Sequence, residues 1–136
     1  MREVCELSQG YVCGHLAADA DSIGRNGWVV GSFFPQTGPD MLRHTGQLEV
    51  KYWSYEKGSD TKHGIKTSDT TEWSMILSGV VIAHVGDQEL KLAGGDYILI
   101  HPGTPNDLVS QVVETVEAIT VKAPSDPAAK HAVIGG

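Results

Sequence analysis

From residue 26 onward, turn-forming residues cut the chain about every ten positions, and between the cuts lie short runs rich in β-branched and aromatic side chains. GWVVGSFF (27–34) is bounded by Asn26-Gly27 and Pro35. QLEVKYWSYEKG (47–58) alternates, with Leu48, Val50 and Tyr52 on one face and Glu49, Lys51 and Trp53 on the other. TTEWSMILSG (70–79) closes on a Ser-Gly turn signal and VVIAHVGDQ (80–88) on Gly86-Asp87. ELKLAGGD, YILIHPG (97–103), DLVSQVV (107–113) and TVEAITVK (115–122) follow. Helical periodicity is confined to HLAADADSIG (15–24), with alanines to favour it and Gly24 to stop it. This rhythm predicts an all-β chain, a small antiparallel barrel or jelly roll, and leaves no room for the parallel α/β nucleotide-binding folds. The tail APSDPAAKHAVIGG (123–136), with two prolines and terminal glycines, is expected to lie over the surface or fray.

At 136 residues the chain suffices for one domain and can bury a core without disulfide staples. Seventeen acidic residues against ten basic ones give a net charge of −7, with no basic run to neutralise phosphates, so neither nucleic acid nor an anionic membrane is an expected partner. The longest uncharged stretch, Trp73 to Gly86, is too short and too polar to span a bilayer. The N-terminus carries no apolar segment of secretory type. Cys5 and Cys13 form no CxxC motif, and reduced thiols in the cytoplasm are the expected state.

Residues 58–110 resemble the cupin family. Gly58, Glu72 and Gly79 fit the family's first motif, with the required six residues between Glu72 and Gly79. GGDYILIHPGTPNDLVS (94–110) resembles its second motif, with Gly95-Asp96 opening a strand and His101-Pro102-Gly103 in the turn. The 15 residues between the motifs suit the family's hairpin. FFPQTGPDMLRHTGQLEVKYWSYEKGS is similar to the front half of small single-domain bacterial cupins. The resemblance implies a single-domain cupin jelly-roll β-barrel over 1–136, with an N-terminal arm and first strands at 1–40, the barrel at 41–123 and a tail at 124–136. It also implies a homodimer. The arm is expected to add a strand to a sheet edge or to a neighbouring subunit.

Metal-binding cupins hold a divalent ion with two histidines and the Glu of the first motif and a His of the second. Here the His-x-His pair falls on Ile65 and Thr67 or on Lys66 and Ser68, the second-motif His on Asn106, and the terminal Asn on Ser110. Only Glu72 remains in register, so the inherited site is expected to be lost. A rearranged site of His63, Glu72 and His101, taking Fe, Mn, Ni or Zn, is the alternative.

Glu72 is expected to point into the barrel, where a carboxylate without a metal is costly unless paired; Lys51, Lys66 and His63 are candidate partners. Glu72 with His63 is a candidate acid–base pair, and a purely structural ion pair is the competing reading. His101, Asn106, Trp53 and Thr67 are the candidate ligand contacts. Asp107 is expected in a strand-edge or turn role, and His84, His44, His15 and His131 have no motif behind them. The expected function is small-molecule binding, as an enzyme of proton-transfer type (isomerase, cyclase or lyase), as a metal-dependent oxygenase or isomerase, or as a non-catalytic ligand-binding or sensory module. No GxSxG elbow or cysteine-nucleophile signature is present.

Overall fold

Two long strands carry the architecture. In the computed structural model, which describes residues 10–61 and 64–132, β4 (Thr71–Val85) runs antiparallel to β7 (Asn106–Ala123) along its whole length, from Thr71 opposite Ala123 to Val85 opposite Asn106. The remaining elements are α1 (Leu16–Ile23), β1 (Trp28–Val30), a 3-10 turn at Met41–Arg43, β2 (Glu49–Tyr55), β3 (Lys66–Ser68), β5 (Gln88–Ala93), β6 (Tyr97–Ile100) and β8 (Lys130–Ala132).

The two halves of β4 and β7 belong to opposite walls. The first half of β4 and the second half of β7 join β6 and β2, with β1 beyond β2. The second half of β4 and the first half of β7 join β5 and β3, with β8 beyond β3. Irregular register between Ile76 and Val80 marks where the sheet curls from one wall to the other. The Ser-Gly pair at 78–79, expected to reverse the chain, bends a continuous strand instead. Gly79 has φ 90°, and a Cβ there would collide with the Thr115 carbonyl oxygen, so the sequence signal for a turn is here the signal for a bulge. The separate runs at 107–113 and 115–122 are likewise one continuous strand.

Inside the curl, Ile76, Val81, Ala83, Leu92, Leu108, Val112, Val116 and Ala118 form the apolar core with Trp53. The helix expected at 15–24 forms over Leu16–Ile23, ended by Gly24 in the left-handed conformation (φ 73°). The N-terminal arm places β1 beside β2 of its own chain. The tail departs from expectation at 130–132, which pairs with β3 as β8: Ser68 faces Lys130 across that ladder, and Ala129 is buried. Cys13 is exposed, and Cys5 lies outside the described residues.

Candidate functional site

Strand alternation on β2, β7 and β4 sends one set of side chains inward, and register stacks them in rows across the three strands. Trp53, Ala118 and Ile76 make the deepest of these rows, Lys51, Thr120 and Ser74 the next, and Glu49, Lys122 and Glu72 the outermost. The inner wall therefore grades from apolar through hydroxyl to charged within five residues of each strand.

The hydroxyl row is fully satisfied. Trp53 Nε1 donates to Thr120 Oγ1 at 2.9 Å, and the hydroxyls of Thr120 and Ser74 meet at 2.7 Å. This fixes the indole plane beneath the charged row, so Trp53 serves as core and as chamber wall at once.

Glu72 is 4% exposed and sits between two ammonium groups, with Lys66 Nζ 3.6 Å from Oε2 and Lys122 Nζ 3.7 Å from Oε1. Both distances exceed a good hydrogen bond, so these are charge contacts, and Oε2 has no hydrogen-bond partner among the described residues. Lys66 is held in place by Asn106, whose Oδ1 accepts from Nζ at 2.9 Å while its Nδ2 donates to the Thr104 carbonyl at 3.0 Å. Lys51 and Lys122 lie 5.4 and 5.6 Å from the centre of the Trp28 ring, within cation–π reach. Burial, only partly opposed by the Glu72 charge, holds the Lys66 ammonium below the ordinary lysine pKa. Burial and then the charges of Lys130 and Lys122 do the same to Lys51, and burial and then Lys122 to Lys130. Burial also raises Glu49, which accepts from Ser125 Oγ at 3.2 Å.

These groups surround a chamber of about 100 Å³ lined by Trp28, Lys51, Trp53, Tyr55, Lys66, Glu72, Asp107, Thr120, Lys122 and Lys130, among others. Trp28, Lys122 and Lys130 also border an outer vestibule of about 530 Å³, which adds Arg25, Phe33, Glu49 and Asp126. A groove of about 280 Å³ between α1 and β2 meets the chamber at Lys51, Trp53 and Tyr55.

Of the residues singled out from sequence, Glu72 and Trp53 line the chamber and Asn106 positions one of its lysines. Thr67 alternates with Lys66 and Ser68 on β3 and takes the opposite face; of the two sets of positions for the missing histidine pair, Lys66 and Ser68 are the inward one. His101 is exposed at the start of the 101–105 turn, and His63 lies outside the described residues. Of the partners expected for Glu72, Lys66 is one, and Lys122 was not foreseen. Asp107 lines the chamber rather than only an edge, and its Oδ1 is buried without a hydrogen-bond partner among the described residues. Trp28 and Lys130 were also missed. Lys122 was legible in principle, since it alternates with Thr120 and Ala118 on one strand face. The other histidines sit elsewhere: His84 is 3.4 Å from Glu89, His131 2.8 Å from Asp69, His44 bonds the Phe34 carbonyl at 2.8 Å, and His15 caps α1.

Residues 52–126, more than half of the chain, match the family model described as the AraC-like ligand-binding domain. The chain belongs to this family. It is a cupin-type domain, and solved structures agree on the fold. A double-stranded β-helix protein from Klebsiella pneumoniae superposes on this AraC-like domain with a TM-score of 0.54 at 20% identity, over 63% of this chain and 74% of that one. A cupin from Bacteroides fragilis gives 0.53 at 15% identity, over 68% and 78%. Oxalate decarboxylase from Bacillus subtilis gives 0.58 at 15% identity, over 68% of this chain but 25% of that enzyme. Identities this low establish fold and nothing of chemistry. No curated protein matches the sequence.

The donors of this AraC-like domain do not fit the divalent metal that many cupin folds hold. The chamber offers two carboxylates, an amide, hydroxyls and four ammonium groups, and among the described residues no three His, Cys, Asp or Glu side chains converge. A transition ion seeks imidazole or thiolate donors, and four nearby lysines repel it. Positive charge next to Glu72 is instead supplied by Lys66 and Lys122.

Proposed function

We propose that this cupin is a small-molecule-binding module whose ligand enters through the vestibule and seats its head in the chamber above Thr120. The observation that carries the reading is the open chamber itself. Its floor is polar, its walls are the rings of Trp28, Trp53 and Tyr55, and the vestibule outside falls within the usual range of ligand pockets. Polar groups converging against aromatic walls suit a ligand with one polar and one apolar end.

Fluorescence titration tests this reading, because two of the three tryptophans, Trp28 and Trp53, line the chamber. Screening a library of charged and neutral metabolites should find compounds that change indole emission and raise the melting temperature, with the emission response reduced in Trp28→Phe. A library that leaves both readouts unchanged would count against ligand binding at this site.

Proton transfer of isomerase, cyclase or lyase type is a second reading, favoured by one observation. Lys66, lowered in pKa by burial, shares the chamber with the Glu72 carboxylate, so an ammonium proton donor and a carboxylate proton acceptor stand side by side. Here Lys66 takes the place first considered for His63. Under this reading the wild type turns over a bound compound and Glu72→Gln and Lys66→Met each abolish that turnover; under the first reading the wild type also leaves bound compounds unchanged. The rearranged His63–Glu72–His101 metal centre is tested by elemental analysis of tag-free protein. Stoichiometric iron, manganese, nickel or zinc would revive it.

A cytoplasmic homodimer completes the proposal. Its support is an apolar outer face on β4 and β6, where Tyr97 and Leu99 are 68% and 48% exposed and Trp73 stacks on Tyr97 with ring centres 6.3 Å apart. Among the described residues no helix is long and apolar enough to cross a membrane. Light scattering reads the oligomeric state directly, and a monomer at micromolar concentration would overturn that part.

A further inference from the structure

In a chain of net charge −7, four of the ten basic residues line one small chamber. The carboxylates facing them there are Glu72 and Asp107, so the lining carries an excess of positive charge. Glu72 is shared by Lys66 and Lys122. Lys51, on β2, and Lys130, on β8, have no carboxylate within 4.0 Å among the described residues, although they approach the same space from opposite walls. Ammonium groups gathered without counter-charge repel one another, and an arriving anion removes that cost.

The acceptors are as telling as the donors. Among the described residues Asp107 Oδ1 and Glu72 Oε2 are buried with no hydrogen-bond partner. A buried carboxylate oxygen is satisfied by a donor, and neither a bare carboxylate nor a hydrocarbon supplies one. The rings of Trp28, Trp53 and Tyr55 close the remaining sides.

Resting on the ligand-binding reading above, we infer that the chamber takes a small hydroxycarboxylate: its carboxylate between Lys51 and Lys130, its hydroxyl toward Asp107 and Glu72, and its apolar portion against the aromatic walls. The chamber volume of about 100 Å³ limits the inserted head to a few heavy atoms. All four cations are lysines, which act as separate point charges and offer no planar guanidinium fork. The two unpartnered carboxylate oxygens call for a hydroxyl donor on the ligand, which a hydroxycarboxylate carries and a phosphate dianion lacks. The lowered proton affinity of Lys51, Lys66 and Lys130 agrees with cations awaiting a counter-ion.

Calorimetric titration with mandelate, its neutral amide mandelamide, and phenyl phosphate tests the class. Mandelate should bind at millimolar affinity or better, and mandelamide about tenfold or more weakly. Lys51→Gln and Lys130→Gln should each weaken mandelate by about tenfold while leaving the circular dichroism spectrum unchanged. Mandelamide binding as tightly as mandelate would overturn charge recognition and leave the ligand-binding reading standing. Phenyl phosphate binding more tightly than mandelate would overturn the carboxylate class. Failure of all three probes to bind would overturn the inference outright, whereas only a silent metabolite library overturns the broader reading.

Discussion

At the closed end of the barrel β4 and β7 present Val81, Ala83 and Val112, all of them buried in the apolar core with Leu92. At the open end the same two strands present Glu72 and Lys122, with Lys66, Lys51 and Lys130 leaning in from neighbouring strands. The β4–β7 pairing is unbroken from Thr71 to Ile76 and shifts register between Val80 and Val81 and between Ile82 and His84, so the charged end has the more regular backbone and the contrast in polarity is carried by the side chains. Burial of apolar area accounts for the closed end. At the open end the desolvation of charge opposes folding, and attraction between the ions offsets it only in part. One end holds the barrel together; the other tolerates instability in order to leave charged groups facing a cavity. That separation is expected when a site is grafted on a fold.

The contrast can be broken from either side. Removing one partner of the charged cluster should have the largest effect. Glu72→Gln strands Lys66 and Lys122 without their counter-ion and should cost about 3–5 kcal/mol in urea unfolding. A cost below about 1 kcal/mol would show that water at the mouth already screens the cluster. Ile76→Ala opens a hole at the base of the apolar half and should cost about 2–5 kcal/mol while leaving mandelate affinity unchanged. Loss of affinity along with stability would mean that the two ends are not independent. Thr120→Val keeps the shape of the wall but strands the Trp53 N–H and the Ser74 hydroxyl, at a cost of about 1–3 kcal/mol.

A pH series sharpens the same comparison. Lys51, Lys66 and Lys130 have folded-state pKa values below the ordinary 10.5, so between those lowered values and 10.5 the unfolded chain binds more protons. Stability should therefore rise as pH increases through the lowered lysine pKa values toward 10. Above 10.0 the raised pKa values of Tyr52 and Tyr55 act in the opposite sense, because these phenols hold their protons longer when folded. The charged groups facing the lysines are Glu72, Asp107, Glu49, Asp126 and Lys122. A Lys51→Gln, Lys130→Gln double variant should show a flatter rise, and an identical profile would contradict the assignment to the mouth. The smallest effect belongs to a pair of exposed side chains. His84→Ala, which removes an exposed pair with Glu89, should change stability by no more than about 0.5 kcal/mol.

The strands were legible because period-two alternation and glycine punctuation are local signals. Glu49, Lys51 and Trp53 share a face in the sequence and in the barrel. The bend at Ser78-Gly79 was not legible, because a glycine that turns a chain and one that bulges a strand look alike until the partner strand is known. The site was half legible for a similar reason. Glu72 carried the first motif and was found, and Asn106 sat where the second motif expected a histidine. Lys122 and Lys130 stand 50 and 58 residues from Glu72 in sequence, and only the pairing of β7 with β4 and of β8 with β3 brings them near it. Trp28 depends likewise on β1 lying against β2. What spacing could not encode was convergence across three walls.

The central claim is that the charged mouth is kept for a ligand and not for the fold. Urea unfolding of a triple variant, Lys66→Met, Glu72→Leu and Lys122→Met, tests it most directly, because Glu72 and the two lysines paired with it are replaced by apolar side chains of similar reach. The account predicts a barrel as stable as the wild type or about 1–4 kcal/mol more stable. A triple variant less stable by about 3 kcal/mol or more would contradict it, and would make the cluster a structural element of the barrel.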